Sequence, residues 1–325
     1  MRLVISALFA LLLAMPVHAG VSKGLSLETI NAAEPAKAAA KNSMAVNVRA
    51  QVLLDRANYS SGAIDGRHGD NFVNALRAFQ QQSGLKESGE LDLTTWEKLA
   101  QGSEPAMIEY TITRQDVRGP FAERIPDDYK KKAELKRLDF TGPREALAER
   151  FHMDEDLLEA LNKGKAFDQA GTVIVVANVN VKPVALKAKV AKIEVDKSNN
   201  TVRVLAADGK LLAMYPASVG SEEKPAPSGT LKVVRVAHGP SYTYDPAFKF
   251  RGVKADEKLK IAAGPNNPVG AVWIALNEKT YGIHGTAEPA KVCKAESHGC
   301  VRMTNWDALA LAKLARKGTI VTFIE

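Results

Sequence analysis

One short segment of the 325-residue chain gathers a thiol, an imidazole, a glycine and a guanidinium: Ser297-His298-Gly299-Cys300-Val301-Arg302. A second imidazole precedes it in His284-Gly285-Thr286. A free thiol titrates near ~8.5 and is mostly protonated at neutral pH, so a neighbouring imidazole is what turns it into a thiolate that attacks carbonyls. Gly299 removes side-chain bulk before Cys300. Two successive backbone N–H groups there would point at the developing oxyanion, each worth about 2.7–4 kcal/mol. In an extended segment Cys300 and Arg302 share a face, where the guanidinium would clamp a carboxylate with two parallel hydrogen bonds. His298 shares that face too, so spacing alone leaves the base open between His284 and His298.

Other uses of these residues carry less. His284, Cys293, His298 and Cys300 lack the Cys-x-x-Cys or His-x-x-x-His spacing of a closed zinc site, so no metal and no cofactor is expected. A Cys293–Cys300 disulfide would silence the nucleophile, and Cys293 is read instead as a bystander in a mobile loop. Ser221-Glu222-Glu223-Lys224 fits a Ser-x-x-Lys pattern, but its companion Lys-Thr-Gly is missing. His68, His152 and His238 are isolated and read as structural or surface histidines.

The elements that must position this chemistry follow from composition and patterning. At 46% hydrophobic and 25% charged the chain is globular and long enough for two or three domains. Its formal charge of +7 favours acidic partners. Met1-Arg2, the apolar run Leu3 to Met15 and Pro16-Val17-His18-Ala19 read as a signal peptide over residues 1–19, too short for a spanning helix of ~20 residues. Its removal takes away Arg2 and leaves 7 − 1 = +6. Residues 20–45, rich in Ala, Lys, Asn and Ser, read as a flexible leader.

From Val46 the pattern is helical. Val48 and Val52 recur at helical spacing, Phe72, Ala75, Leu76 and Phe79 form a stripe, and Thr94-Thr95-Trp96-Glu97 offers a capping box for a third helix. Asp65-Gly66-Arg67-His68-Gly69, Ala75-Leu76-Arg77-Ala78-Phe79-Gln80 and Gly84-Leu85 make residues 46–102 resemble the peptidoglycan-binding type 1 domain. Over residues 107–182 the order is a strand at Tyr110 to Thr113, helices at Glu145 to Phe151 and Asp154 to Leu161, and a strand at Gly171 to Val176. That α+β order resembles a LysM module, with Arg118 to Phe140 intruding after the first strand. The run Lys130-Lys131-Lys132 has no interleaved aromatics and reads as a solvated helix face, not a nucleic-acid site. Residues 188–325 turn β-rich, with strands at Lys192–Asp196, Thr201–Leu205, Leu211–Val219, Thr230–Val236, Val272–Ala275 and Thr319–Ile324, and one helix, Trp306–Ala315. A mostly antiparallel β domain is expected.

Tyr281-Gly282-Ile283-His284-Gly285-Thr286 and Ser297-His298-Gly299-Cys300-Val301-Arg302-Met303 make this last region similar to the L,D-transpeptidase (YkuD) catalytic domain. Asn266-Asn267-Pro268-Val269-Gly270 and Pro225-Ala226-Pro227-Ser228-Gly229-Thr230 resemble its upstream motifs, with Ala226 in place of the usual threonine. The resemblance implies Cys300 as nucleophile, His284 as proton acceptor and donor, and the Gly285 carbonyl as the group orienting the imidazole. Gly299, Ser297 and His298 would shape the oxyanion and substrate site, and Arg302 would hold substrate. The implied reaction releases D-alanine from a peptidoglycan tetrapeptide stem and passes the thioester to an amine. The acceptor would be another stem, giving a 3→3 cross-link, a free D-amino acid, or a lysine of a wall-anchored protein. Water would make the enzyme a carboxypeptidase or hydrolase, and a decayed site would leave a non-catalytic wall-binding protein. Stem peptides and glycan are the expected partners. The expected location is the periplasm, at the wall, with no transmembrane segment in the mature form.

Overall fold

In a computed structural model of the chain, residues 24–35, 43–102, 104–181, 188–221, 224–248, 255–295 and 299–325 are described. The signal-peptide reading, together with Ser297 and His298, lies outside them. The first element corrects the flexible leader: Ser26 caps helix α1 (Leu27–Asn31). Ile30 of α1 is fully buried, and the Asn31 side chain exchanges hydrogen bonds of 2.9 and 2.8 Å with the backbone of Met107.

Three helices follow, as the patterning predicts: α2 (Met44–Arg56), α3 (Asp70–Gln82) and α4 (Leu93–Leu99). The cap of α4 is Asp92, whose carboxylate accepts from Thr95 N at 2.7 Å, and not the predicted Thr94 box. Phe72, Ala75, Leu76 and Phe79 pack on Ala50, Leu54 and Trp96 as the stripe requires. Val48 and Val52 do not join them. They face the middle unit with Met107, Phe151 and Leu158, because α2 is buried on two sides.

The middle unit pairs β1 (Met107–Thr111) with β2 (Val173–Ala177), antiparallel. Between them run α5 (Tyr129–Glu134), α6 (Pro143–Arg150) and α7 (Glu155–Leu161). The strand, two-helix and strand order is present, and α5 belongs to the inserted stretch. Lys130 and Lys131 are solvated. Lys132 instead lies 5.2 Å over the Tyr129 ring.

The last region contains β3 (Val190–Asp196), β4 (Thr201–Ala206), β5 (Leu211–Pro216), β6 (Ser218–Val219), β7 (Gly229–His238), β8 (Tyr242–Tyr244), β9 (Leu259–Ile261), β10 (Val272–Leu276), β11 (Gly282–His284) and β12 (Val301–Arg302). Helix α8 (Asn305–Leu314) and β13 (Ile320–Ile324) complete it. The main sheet runs β5-β4-β3-β13-β7-β10-β11-β12-β6, antiparallel except for β3/β13 and β11/β12. The predicted single strand Leu211–Val219 is divided at Ala217. Its halves lie at opposite ends of the strand order, so the sheet curls until its two edges meet there. Ile193, Val204, Ile274, Ile283 and Val301 pack on Ala308 and Leu311 of α8 inside the curl. The exposed edge at β5 is covered by the helical unit. Ser60 N donates to Met214 O and Met214 N to Asn58 O, each at 2.9 Å, which removes an unpaired edge.

The inserted stretch is pinned to the β-rich region. Leu138 N donates to Ala263 O and Asn266 N to Leu138 O, each at 3.0 Å. A Cβ on Gly264, whose φ is +150°, would stand 2.1 Å from Leu138 O. Gly264→Ala is therefore expected to detach residues 118–140 while the β-sheet stays folded. Hydrogen exchange should show lost protection at Leu138 and Asn266 with β3 and β4 unchanged, and unaltered protection would refute this docking.

Candidate active site

Register in the curled sheet assembles the site. Trp273 lies opposite His284, His284 beside Arg302, and Arg302 opposite Ser218, all across β10, β11, β12 and β6. Their neighbours Ile274, Ile283 and Val301 point into the core. Strand alternation thus separates chemistry from packing. Cys300, two residues before Arg302, has its S–H directed at Thr280 O, 3.5 Å away. Cys300, His284, Arg302 and Trp273 all line one cavity of about 840 Å³.

The imidazole is oriented by its own loop. His284 Nδ1 lies 2.6 Å from Gly285 O, and a carbonyl only accepts, so Nδ1 carries the proton and Nε2 keeps a lone pair. Trp273 stacks on the ring at 5.5 Å and 21°. Burial, with Arg302 nearby and partly offset by the Gly285 bond, pushes His284 down to about 4. The ring is neutral at physiological pH. Burial also raises the Cys300 thiol, although the Gly282 backbone N–H and Lys224 oppose it. The resting pair is therefore neutral thiol and neutral imidazole. This departs from the sequence expectation of a thiol already lowered by its imidazole, because desolvation penalises both ions.

Gly285 is held from behind. Asn305 Oδ1 accepts from Ala271 N at 2.9 Å, and a Cβ on Gly285 or Gly270 would come within 2.2 Å of that oxygen. The same side chain donates from Nδ2 to both oxygens of Glu149, at 2.9 and 3.1 Å, and to Pro265 O at 3.2 Å. Burial raises the Glu149 carboxyl to about 8, against the Asn305 bond. Nothing in the sequence marks Glu149, which lies 156 positions from its partner.

Arg302 lines the same cavity as Cys300 and His284. Its Nη2 donates to Ala295 O at 2.7 Å, and its Nε is buried without a partner among the described residues. Gly299 takes φ +87°, and a Cβ there would meet the Lys224 stem at 2.8 Å. Lys224, set aside with the Ser-x-x-Lys pattern, lines the cavity and sits 5.1 Å over Tyr281. Cys293 is a free thiol. It is held, not loose: its N–H donates to Ser218 Oγ at 2.9 Å, and burial pushes its thiol up to about 12. His152 stacks on Trp306 at 5.1 Å and meets Asp55 at 2.9 Å, a structural role.

The far wall of the cavity comes from the middle unit. Tyr129, Lys132 and Glu145 line it beside Tyr242 of the β8–β9 hairpin. Tyr129 packs edge-on against Tyr242 and Tyr244, at 6.2 and 5.6 Å, and Glu145 accepts from Asn266 Nδ2 at 2.7 Å. The one sequence signal for this wall is the insertion itself, which breaks the module pattern between Arg118 and Phe140.

A neutral thiol with a raised titration point makes a measurable prediction. Alkylation of Cys300 by iodoacetamide, followed by peptide mass spectrometry, should keep accelerating above pH 9. A rate that levels off near pH 7 would mean a preformed ion pair and refute the neutral resting state.

Known proteins share these features. Residues 191–323 match the L,D-transpeptidase catalytic domain (YkuD), and residues 48–99 match a "Putative peptidoglycan binding domain". Neither match reaches residues 107–182, so a LysM identity for the middle unit is not supported by them. "Putative L,D-transpeptidase YkuD" of Bacillus subtilis is 38% identical over 92 residues, 28% of this chain and 52% of that protein. The chain thus spans about half the length of that relative. "Putative L,D-transpeptidase YqjB" of Bacillus subtilis is 32% identical over 137 residues, 40% of this chain and 69% of that protein. A crystal structure of the L,D-transpeptidase from Xylanimonas cellulosilytica is 15% identical, covers 86% of this chain and 92% of its own, and superposes with a TM-score of 0.36. With residues 191–323 matched and more than two thirds of a 32% identical relative covered, the chain belongs to the L,D-transpeptidase family.

Proposed function

We propose that the protein is a cysteine-dependent peptidoglycan L,D-transpeptidase acting through Cys300 and His284. The observation that carries this is the tautomer: the Gly285 bond leaves His284 Nε2 as acceptor in the cavity that holds the thiol. Cys300 Sγ attacks the carbonyl carbon between the third stem residue and terminal D-alanine, and its proton passes to Nε2. The oxyanion is met by the Gly299 and Cys300 backbone N–H groups. Nε2 returns the proton to the leaving amine, D-alanine departs, and a thioester remains. An amine then attacks the thioester carbon, gives its proton to Nε2, and the thiol is restored.

Arg302 Nε, desolvated and unpartnered among the described residues, suits a substrate carboxylate. Ser297 and His298 are proposed to shape the site from the sequence alone. The Tyr129 wall would keep water from the thioester, favouring a second stem or a wall-anchored protein as acceptor. Action at the cell wall, in the periplasm after export, follows from the same substrate. No helix among the described residues is long and apolar enough to cross a membrane.

Incubation with disaccharide tetrapeptide and mass spectrometry tests this reading. A 3→3 dimer is expected, with Cys300→Ala losing at least ~10³-fold in turnover. Tripeptide alone would make the protein a carboxypeptidase. No product and no covalent carbapenem adduct would leave a wall-binding protein. With His284 at about 4, kcat/KM should hold down to pH 5 and fall only near pH 4. An acid limb near pH 6.5 would contradict a desolvated base. Tyr129→Ala should raise the tripeptide-to-dimer ratio several-fold, and an unchanged ratio would remove the wall from acceptor choice.

A further inference from the structure

The Ser-x-x-Lys pattern lacks its companion motif, yet the fold gives its lysine a defined place. Ser221 Oγ accepts from Lys224 N at 3.2 Å and Ser221 N donates to Lys224 O at 3.1 Å, so the serine fixes the lysine's backbone. Its neighbours in the chain are tied to the residues around the thiol. Gly220 N donates to Cys300 O and Tyr281 Oη donates to Pro225 O, each at 3.3 Å.

The Lys224 side chain then runs along Gly299. A Cβ on that glycine would stand 2.8, 2.9 and 3.1 Å from Lys224 Cγ, Cδ and Cε, so the stem lies against the residue that precedes the thiol. Nζ, one bond beyond Cε, rests 5.1 Å over the Tyr281 ring. Lys224 and Cys300 line the same cavity. Backbone, stem and head group are thus each held.

What this cation faces follows from the groups around the sulfur. Tyr242 on β8 and Tyr281 just before β11 both feel Cys300, and burial raises both phenols, while His284 on β11 is pushed down to about 4. These three groups are neutral at physiological pH. Arg302 on β12 acts on His284 and on Cys293, whereas Lys224 is the cation, among the described residues, that opposes burial at Cys300. An anion formed in a desolvated site needs a compensating charge, and an ammonium is a compact one.

We propose that Lys224 takes up the charge on Cys300: its ammonium stabilises the sulfur as the thiol proton leaves for His284 Nε2, and again when the sulfur is expelled. In the first step S–H breaks, Nε2–H forms and Sγ bonds to the carbonyl carbon. In the last, C–S breaks, the electron pair returns to the sulfur beside the ammonium, and Nε2 gives back the proton. The role in these two steps rests on the transpeptidase reading; the charge contact with the thiol does not.

The test is alkylation of Cys300 in the full chain by iodoacetamide, a neutral probe, read by peptide mass spectrometry across pH and salt. In Lys224→Met, which keeps an apolar stem on Gly299, the rate at about pH 9 should fall about 3- to 10-fold with its pH profile shifted upward, and Lys224→Arg should keep most of it. Raising the ionic strength from about 0.02 to 0.5 M should slow alkylation of the unmodified chain about twofold, a readout that needs no variant to fold. On tetrapeptide stem, kcat/KM should fall about 10-fold or more in Lys224→Met and be largely restored in Lys224→Arg. Equal alkylation of Lys224→Met and the unmodified chain, or a salt-independent rate in the latter, would overturn the charge contact even with stem turned over. Slower alkylation with kcat/KM unaltered would overturn the role in the reaction. Slower alkylation with no turnover of stem by any form would uphold the contact and sink the transpeptidase reading instead.

Discussion

The 2.6 Å hydrogen bond from His284 Nδ1 to the carbonyl of the next residue decides which ring nitrogen is free, and the remaining architecture is arranged to keep that bond. Its acceptor sits on a glycine that tolerates no Cβ, because Asn305 Oδ1 occupies the space. Asn305 is in turn fixed by Ala271 N, Pro265 O and the Glu149 carboxyl, so the ring's orientation is inherited from α8, the loop before β10 and α6 together. A supporting shell of this kind holds an imidazole to a narrow geometry, as the proposed proton transfer needs.

Burial sets the electrostatics of the pair, and it acts against both ions. Moving His284 from 6.5 to about 4 disfavours the imidazolium by roughly 3 kcal/mol, and the same desolvation raises the thiol. A preformed thiolate–imidazolium pair is thereby disfavoured in the resting site. In the proposed reaction, ionisation would be deferred to the moment of attack, when the developing oxyanion would have N–H donors to meet it, and Lys224 lies near the sulfur. The cavity has a wall that the sheet alone does not provide, and Tyr129 with the β8–β9 hairpin supplies it.

The parts legible in the sequence are those encoded locally. Cys300, His284 and Arg302, which line one cavity, fall with Gly285 and Gly299 in two short strings, and most long strands are marked by alternation and Asn-Asn or Asp-Gly turns. The short strands β11 and β12 were not legible as strands: a few residues give no period, and they exist because neighbours on both sides hold them. The division of Leu211–Val219 was hidden for a related reason, since nothing within it states that its two halves end at opposite edges of one sheet. Helix α1 has no periodic pattern of its own, because it is held by Ile30 burying against a distant unit and by Asn31 bonding to Met107. Val48 and Val52 recur at helical spacing, but the spacing does not state which core they join, because α2 presents apolar side chains in two directions.

Glu149 shows the limit most sharply, and also why the units act as one body. As part of a free-standing middle module, a carboxyl at that position would be solvated and ionised, and an exposed helix face would explain it fully. In the assembled chain it is desolvated against Asn305 and raised to about 8; Asp307, bonded by Ser60 of the helical unit at 3.0 Å, is raised to about 7 in the same way. A carboxyl whose folded titration point lies above its unfolded one costs stability increasingly as pH climbs between the two. Each seam thus carries an acid that an independent module would not bury. Such burial is tolerated where docking fixes something else in return: Glu149 holds Asn305, whose Oδ1 backs Gly285, and Asp307 lies two residues further along α8 against Ser60.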